Sequence, residues 1–250
     1  MPFLRLARSL LPAVALALSA AAAPAETAVT LPPPATDVAA SGNEQVAVIA
    51  GGCFWGIQLI YQHTEGVIQA VSGYAGGSKA DATYDRVSTG RTGHAESVQI
   101  RFDPRKITYG KILQIFFSVA HNPTELDRQG PDEGPQYRSA IFYADPEQKR
   151  VAEAYIKQLG ELKLFGQPIV TRVDKLDSFY PAETYHQDYA TFNPSNPYIV
   201  YHDLPKLGNL RRVMPEVWRS KPVLVSTKGA KLEAEKASPV FGSDSPSTTR

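Results

Sequence analysis

The stretch QVAVIAGGCFWGIQLIY, residues 45–61, decides the fold. Its first six residues form an apolar run of the kind that is buried as a strand. Gly51 and Gly52 follow, and they allow the backbone to turn sharply. From Cys53 to residue 63 the apolar residues then recur at helical spacing. The pattern predicts a buried strand that turns directly into a helix, with Cys53 in the first turn of that helix.

Periodicity along the rest of the chain predicts four more strands and three more helices. We expect the strands at 66–74, 96–103, 139–144 and 169–175. We expect the helices at 108–120, at 145–162 and, as a short one, at 185–190. Without the short helix, the resulting order is roughly β-α-β-β-α-β-α-β, which mixes hairpin and crossover connections. It predicts an α+β fold, in which helices pack on a mixed β-sheet to form a two-layer ferredoxin-like core.

The two ends of the chain differ in composition from this central part. Arg5 and Arg8 precede an apolar stretch at 10–23, and Ala-Pro-Ala at 23–25 supplies the small residues of a cleavage site. This is the pattern of a secretory signal, with an uncleaved N-terminal anchor as the alternative. We therefore expect a secreted or periplasmic protein. The chain divides into a signal peptide at 1–25, a Pro-rich linker at 26–43 and one folded domain at 44–205. Residues 206–250 form a mostly disordered tail, with a docked segment near 213–218.

Composition argues against several classes of function. The 250 residues carry a formal net charge of +1 and show no dense basic stripe, which argues against nucleic-acid binding. No segment after the signal is apolar over a span long enough to cross a bilayer, so we expect no stable membrane insertion. One cysteine and scattered histidines do not match the ligand spacing of a zinc site, so we expect no metal. We expect the protein to be a monomer.

Cys53 is the only cysteine of a chain that we expect to be exported. It can form no intramolecular disulfide, and a lone thiol in an oxidising compartment is a liability unless it is buried or used. At a helix start, free N–H groups and the helix dipole favour the thiolate. Phe54 and Trp55 add an apolar wall beside it. Inert burial is the alternative, which the flanking glycines disfavour because a core helix gains nothing from them.

Glu96 opens the segment ESVQIRFD, the clearest strand of the chain. Side chains alternate between the two faces of a strand, so Glu96 shares a face with Val98, Ile100 and Phe102. A carboxyl group on an apolar face is desolvated, so its pKa rises and it can donate a proton near neutral pH. A glutamate that escapes to solvent at the strand end is the alternative.

The remaining polar groups are less specific. The loop QGPDEGPQYRS at 129–139 contains Asp132 and Tyr137, which either supply a carboxylate and a phenol to a pocket or lie on the surface. We expect His94 and His186 to fix loops through hydrogen bonds. Either histidine is also a candidate base for Cys53 in a thiol hydrolase, because nucleophile and base need only meet in space.

Several motifs occur together and in order, and as a set they are far more specific than any one of them. They are GGCFWG at 51–56, GYAGG at 73–77, Tyr84, GHAE at 93–96, RQGPDEGPQYRSAIF at 128–142 and FYPAETYHQDY at 179–189. With this set, the chain resembles the A-type peptide methionine sulfoxide reductase family over about residues 44–204.

The resemblance implies a reaction and a set of roles. Family members reduce the S epimer of methionine sulfoxide, free or in proteins, without a bound cofactor. Cys53 matches the family's catalytic cysteine and Glu96 its acid. Tyr84 and Tyr137 match the two tyrosines that bind the sulfoxide oxygen, and Asp132 matches a nearby polar residue. Phe54 and Trp55 match the aromatic wall that holds the methyl group.

Two departures from the family pattern stand out. Many members carry a further cysteine toward the C-terminus that attacks the oxidised thiol, and NPSNPYIVYHDL at 193–204 has none. The resemblance therefore implies that an external thiol, from a small molecule or a thioredoxin-like protein, must regenerate Cys53. Pro135 also stands where a threonine is expected. Two other functions remain open: a thiol hydrolase or acyltransferase, and a non-catalytic module that binds oxidised or methionine-rich segments through Phe54 and Trp55.

Overall fold

A computed structural model describes residues 28–226 of the chain. The expected signal peptide and the last part of the expected tail, residues 227–250, lie outside the described residues. Among the residues that are described, no helix is long and apolar enough to cross a membrane.

Within residues 28–226, six strands form one mixed sheet, and two very short strands form a separate ribbon. The strands of the sheet are β1 (Gln45–Ala50), β2 (Val67–Ala75), β3 (Ala95–Phe102), β6 (Ala140–Tyr143), β7 (Arg172–Lys175) and β8 (Phe179–Pro181), and those of the ribbon are β4 (Arg128–Gln129) and β5 (Asp132–Glu133). The order across the sheet is β7-β6-β1-β3-β2-β8. Only the β6–β7 pair is parallel, and the other neighbours in this sheet are antiparallel.

The α-helical segments of the described residues lie between and after these strands. They are α1 (Phe54–Gln62), α2 (Tyr84–Val87), α3 (Tyr109–Ile115), α4 (Pro146–Leu162), α5 (Tyr189–Phe192) and α6 (Leu204–Val213). Local sequence accounts for the best defined starts. The side chain of Asp145 accepts the Gln148 N–H at 2.9 Å and Pro146 follows it, so α4 begins there as its sequence predicts.

The predicted ferredoxin-like core is confirmed. Strand β3 lies between β1 and β2, and β1 lies between β3 and β6, so the crossovers through α1 and α3 each span one intervening antiparallel strand. Helices α1, α3 and α4 cover one face of the sheet, where their apolar side chains form a single cluster with the inward residues of β3. A smaller cluster of mostly small side chains lies on the other face, built from Val48, Ala50, Ala75, Ala95, Ala140 and Phe142.

The described part of the predicted linker, residues 28–43, is packed against the domain and does not act as a free spacer. Leu31 is buried in the main core cluster, and its carbonyl accepts a hydrogen bond from Gln114 Nε2 at 2.6 Å. The carbonyl of Pro32 accepts the Tyr155 hydroxyl at 2.8 Å. Because side chains of α3 and α4 satisfy its carbonyls, this Pro-rich segment docks without forming regular structure.

The predicted domain end at residue 205 is wrong, because ordered structure continues through residue 226. Helix α6 packs against α1 and is followed by a segment, residues 214–226, that we call the C-terminal strap. Leu210, Met214 and Val217 are all buried, at spacings that place them on one side of the chain. These few apolar residues are diluted by lysine, proline and serine, which is why composition alone indicated disorder.

Candidate active site

Cys53 lies at the turn between β1 and α1, directly before the first residue of the helix. The turn depends on both glycines that precede it. Gly52 has a φ of +94°, and a Cβ added there would lie 2.6 Å from the Cγ atom of Gln129. A Cβ on Gly51 would lie 2.9 Å from the ring of His121. The backbone before Cys53 therefore packs tightly under the loop that contains β4, which fixes the position of the thiol.

The electrostatic part of the expectation for Cys53 is wrong. The residue is half-buried and caps α1 instead of lying in its first turn. Burial raises the pKa of the thiol well above its usual value, and the carboxylates of Glu96, Asp203 and Asp132 raise it further. The backbone N–H of Trp55 lowers the pKa, but this helix-start effect is outweighed. A carboxyl group next to the thiol must therefore be neutral before a thiolate can form readily.

Glu96 supplies such a neutral carboxyl group. It is 3% exposed on β3, on the face that packs against the helices, as the alternation predicts. Burial raises the pKa of Glu96 to about 8, an effect that the N–H of Phe54 partly offsets and the charge of Asp132 increases. Its Oε2 atom accepts that N–H at 3.1 Å, and Phe54 is the residue next to Cys53. At neutral pH the site thus holds a protonated carboxyl group beside the thiol.

Tyr84 and Tyr137 reach the same site from two different segments. Tyr84 opens α2, and its backbone N–H donates to Glu183 Oε1 at 2.9 Å. Tyr137 ends a turn of 3₁₀ helix at Pro135–Tyr137. Burial raises the pKa of both hydroxyls first, and the charges of Glu96, Cys53 and Asp132 then raise both further. The two phenols are therefore neutral hydrogen-bond donors, and they lie close enough to Cys53, Glu96 and Asp132 for these groups to act on them electrostatically.

Asp132 lies on β5 and is half-buried. Its Oδ2 atom accepts a short hydrogen bond from the Tyr198 hydroxyl. Burial raises the pKa of Asp132, while that bond and the positive charges of Lys206 and His202 lower it. Asp132 acts electrostatically on Cys53, Glu96 and both tyrosines. Phe54 and Trp55 directly follow Cys53, so the structure brings together all seven residues singled out from the sequence.

Trp55 forms the centre of an aromatic wall next to the thiol. Its ring stacks on Tyr189 with centroids 4.0 Å apart and planes at 16°. The ring of Tyr198 meets it edge-on at 6.2 Å, and its Nε1–H donates to His186 Nδ1 at 3.2 Å. Phe54 is fully buried behind it. Sequence reasoning gave no role to Tyr189 and Tyr198, although the density of aromatic residues between 179 and 201 was a signal for such a wall.

The histidines fix loops, as expected. His94 Nε2 pairs with the carbonyl oxygen of Ser78 at 2.9 Å, and His186 bonds Trp55. Because His186 Nδ1 accepts, the neutral ring carries its proton on Nε2, and burial lowers its pKa. Within residues 28–226 no hydrogen bond joins a histidine to Cys53, so the thiol hydrolase has no base in place. The same residues contain no group of three or more His, Cys, Asp or Glu side chains able to hold a metal ion.

The site thus combines a thiol, a neutral carboxyl group, two phenols and an aromatic wall, and comparison with known proteins gives the same picture. The sequence model of the family described as peptide methionine sulfoxide reductase matches residues 45–217. The chain belongs to this family. The matched range includes α6 and the start of the strap up to Val217, so it extends past residue 205.

Relatives and solved structures of the family extend the match. Peptide methionine sulfoxide reductase MsrA 2 of Mesorhizobium japonicum is 57% identical over 189 residues, which are 76% of this chain and 97% of the relative. MsrA of Thermus thermophilus is 47% identical over 176 residues, or 70% and 98% of the two chains. The crystal structure of reduced Mxr1 from Saccharomyces cerevisiae superposes with a TM-score of 0.57 at 30% identity, covering 64% of this chain and 91% of that one.

The structure of methionine sulfoxide reductase A from Corynebacterium diphtheriae superposes with a TM-score of 0.53 at 35% identity, covering 62% of this chain and 78% of that one. Membership in the family makes the chain an oxidoreductase that reduces methionine sulfoxide and serves in protein repair. It also agrees with the architecture, a mixed sheet with helices packed on it.

Proposed function

We propose that the chain reduces methionine-S-sulfoxide, free or in proteins, with Cys53 as the nucleophile and Glu96 as the acid. The single observation that carries these roles is the buried carboxyl group of Glu96, whose pKa is about 8 and whose Oε2 atom bonds the backbone N–H of the residue after Cys53. A nucleophile and a proton donor are both needed to remove oxygen from a sulfoxide, and the hydrogen bond from Phe54 to Glu96 holds both in one site.

The reaction balances with these two groups. The Cys53 thiolate attacks the electrophilic sulfoxide sulfur and forms an S–S bond, while Glu96 gives its proton to the sulfoxide oxygen. The S–O bond then breaks, the resulting hydroxyl group passes to the sulfur of Cys53, and the S–S bond breaks. Methionine leaves reduced by two electrons, and Cys53 is left oxidised by two electrons as a sulfenic acid. Transfer of the proton from Glu96 removes the barrier of expelling an oxide ion, which is the step for which a raised carboxyl pKa is suited.

Substrate binding follows from the other groups of the site. The neutral hydroxyls of Tyr84 and Tyr137 donate hydrogen bonds to the sulfoxide oxygen, where negative charge develops. Asp132 helps to order this polar side of the site through its bond with Tyr198. The methyl group of the substrate packs against Phe54 and Trp55, which offer an apolar surface but no partner for a polar substituent.

Cys53 needs an external thiol to complete the cycle, because the chain has no second cysteine. A first thiol displaces water from the sulfenic acid and forms a mixed disulfide with Cys53. A second thiol attacks that disulfide, which releases Cys53 and an oxidised dithiol. A thioredoxin-like protein supplies both thiols at once, and a small thiol supplies them in two encounters.

We propose that this cycle takes place outside the cytoplasm. The support is the charged, apolar and small-residue pattern of residues 1–25, which lies outside the described residues. Intact mass of the protein recovered from a cell-envelope fraction tests it. A chain beginning near residue 26 is expected, and a full-length chain left in the cytoplasmic fraction would contradict the proposal.

One assay tests the catalytic proposal against the two other functions. The full chain is incubated with peptides containing either the S or the R epimer of methionine sulfoxide, with dithiothreitol as reductant, and methionine is quantified. We expect turnover of the S epimer alone, and none in Cys53→Ser. Binding of the sulfoxide without turnover in either protein would favour the binding module, and acyl-enzyme formation from a thioester would favour the hydrolase.

A further inference from the structure

Asp188 is a buried carboxylate that the mechanism does not use. It is 1% exposed, and its carboxylate accepts three hydrogen bonds. Oδ1 accepts from Gln62 Nε2 at 2.6 Å and from the backbone N–H of Val225 at 3.1 Å, while Oδ2 accepts the N–H of Ser226 at 3.0 Å. Two of the three donors thus belong to the C-terminal strap, 37 and 38 residues further along the chain.

The position of Asp188 in the chain connects the strap to the active site. His186 and Tyr189 lie on either side of it, and these are the residues that bond and stack on Trp55. Asp188 itself has a φ of +58°, a left-handed conformation that Asp and Asn tolerate better than other side chains. Its backbone N–H donates to Gln58 Oε1 at 2.9 Å, so the segment is also held against α1.

The strap is anchored at the end of α1 that lies farther from Cys53. The N–H of Val223 donates to the carbonyl of Gln62 at 3.0 Å, and the N–H of Arg219 donates to that of His63 at 2.8 Å. The Trp218 ring stacks on His63 with centroids 5.0 Å apart. The strap therefore ties both α1, which carries Trp55, and the segment that carries His186 and Tyr189 to one backbone, and the Trp55 side chain packs against that segment.

We infer that Asp188 is a positioning residue for Trp55, and that the C-terminal strap holds it in place and thereby sets the selectivity for a methyl group. A buried carboxylate that loses two of its donors is costly, so without the strap the segment around Asp188 must shift toward solvent or admit water. Trp55 then loses a fixed stacking partner and a fixed hydrogen bond, and the apolar wall loosens. The inference rests on the proposed function, because the wall is the proposed methyl site.

The test compares methyl and ethyl sulfoxide substrates in the full chain. A close-fitting apolar pocket distinguishes substrates that differ by one methylene group by roughly 10- to 200-fold. Val225→Pro/Ser226→Pro removes both N–H donors while keeping the chain length. Ser243→Pro/Asp244→Pro makes the same kind of change outside the described residues and is the matched control. Asp188→Asn keeps a side chain that suits the left-handed conformation and retains one acceptor oxygen.

We expect the ratio of kcat/KM for methyl over ethyl sulfoxide to fall about tenfold in the double-proline variant. In Asp188→Asn the ratio should fall by a smaller factor, and in the control it should equal that of the wild type. A general loss of structure would lower both rates together, whereas a loosened wall lowers the ratio. An unchanged ratio in Asp188→Asn would overturn the inference even if the double-proline variant fails to fold.

A second measurement does not depend on turnover. The chain has two tryptophans, so Trp218→Phe leaves Trp55 as the only indole and retains an aromatic ring on His63. In that background, acrylamide quenching of Trp55 should increase with Asp188→Asn. If the wild type reduces neither sulfoxide, the proposed function fails, while the quenching result still decides whether Asp188 holds Trp55. Quenching that is unchanged by Asp188→Asn would contradict the role of Asp188 in positioning Trp55.

Discussion

The two sides of the active site are built in different ways. The side with Cys53 and Glu96 comes from strands β1 and β3, a tight turn and the start of α1, and the backbone N–H of Phe54 joins these parts at Glu96. The aromatic side comes from residues 184–226, where short helical segments and a strap are held by side-chain hydrogen bonds over more than 100 positions of sequence, as between Gln62 and Asp188. The reacting groups thus lie on a strand and at a helix start, and the residues that hold Trp55 in place lie on irregular chain.

This difference predicts different consequences for substitution. Side-chain changes on the Cys53 side should affect the chemical step with little effect on folding, because tight packing of the backbone before Cys53 already fixes the chain there. Changes on the aromatic side should affect substrate binding, selectivity and stability together, because the same contacts that shape the wall also hold the segment to α1.

The largest effect is expected on the Cys53 side, from Glu96→Gln. Loss of a positioned general acid costs about 10²- to 10⁴-fold in rate. Glu96→Gln should also change how the stability of the folded protein depends on pH. The folded state holds the Glu96 proton up to about pH 8, whereas the free carboxyl has a pKa of 4.5. Ionisation of the unfolded chain therefore makes the wild type less stable as pH rises from about 4.5 to 8.

Glutamine does not titrate, so Glu96→Gln should lack this decline in stability. Thermal unfolding at pH 5 and pH 8 measures it, and we expect a smaller difference between the two midpoints in the variant than in the wild type. Equal differences would mean that Glu96 is already ionised in the folded protein, which would remove it from the role of acid.

The next largest effect is expected in the segment beyond the sequence-predicted domain end. Leu210 is 0% exposed, so Leu210→Ala should cost about 2–5 kcal/mol in the free energy of unfolding. Leu162→Ala on exposed helix surface is the control and should cost less than about 0.5 kcal/mol. Urea denaturation of both variants measures the difference, and equal costs would indicate that α6 does not contribute to the core.

A smaller effect is expected from Tyr189→Leu, which removes the ring stacked on Trp55. An aromatic pair contributes about 0.5–1.5 kcal/mol beyond its buried area, so kcat/KM should fall by roughly two- to tenfold, mainly through KM. Tyr201→Leu is the control, because Tyr201 is 67% exposed and should leave the kinetics unchanged. A loss in kcat alone would place Tyr189 in the chemical step and not in substrate binding.

Sequence reasoning was most successful where local pattern determines structure. Strict alternation placed Glu96 among Val98 and Ile100, and an apolar run ending in two glycines placed Cys53 between β1 and α1. In both cases the periodicity of a strand or helix decides which way a side chain points, so a few neighbouring residues contain the information.

It failed where long-range contacts outweigh composition. Helix-start electrostatics alone suggested an easily formed thiolate at Cys53, but burial and carboxylates from three other segments raise its pKa. Residues 206–226 look disordered by composition, yet Leu210 and Val217 pack on the core and Asp188 binds the strap. No periodic pattern encodes a hydrogen bond between Asp188 and the amide of Ser226, so the extent of the aromatic side could not be predicted.

The pH dependence of a single turnover tests the central claim most directly. The rate of methionine formation from the S-sulfoxide peptide is measured from pH 6 to pH 10, without added thiol, in the wild type and in Glu96→Gln. Because the Cys53 thiolate becomes more abundant with rising pH in both proteins, the ratio of the wild-type rate to the variant rate should fall above about pH 8 as Glu96 loses its proton. A ratio that stays constant across pH 8 would contradict the assignment of Glu96 as the acid.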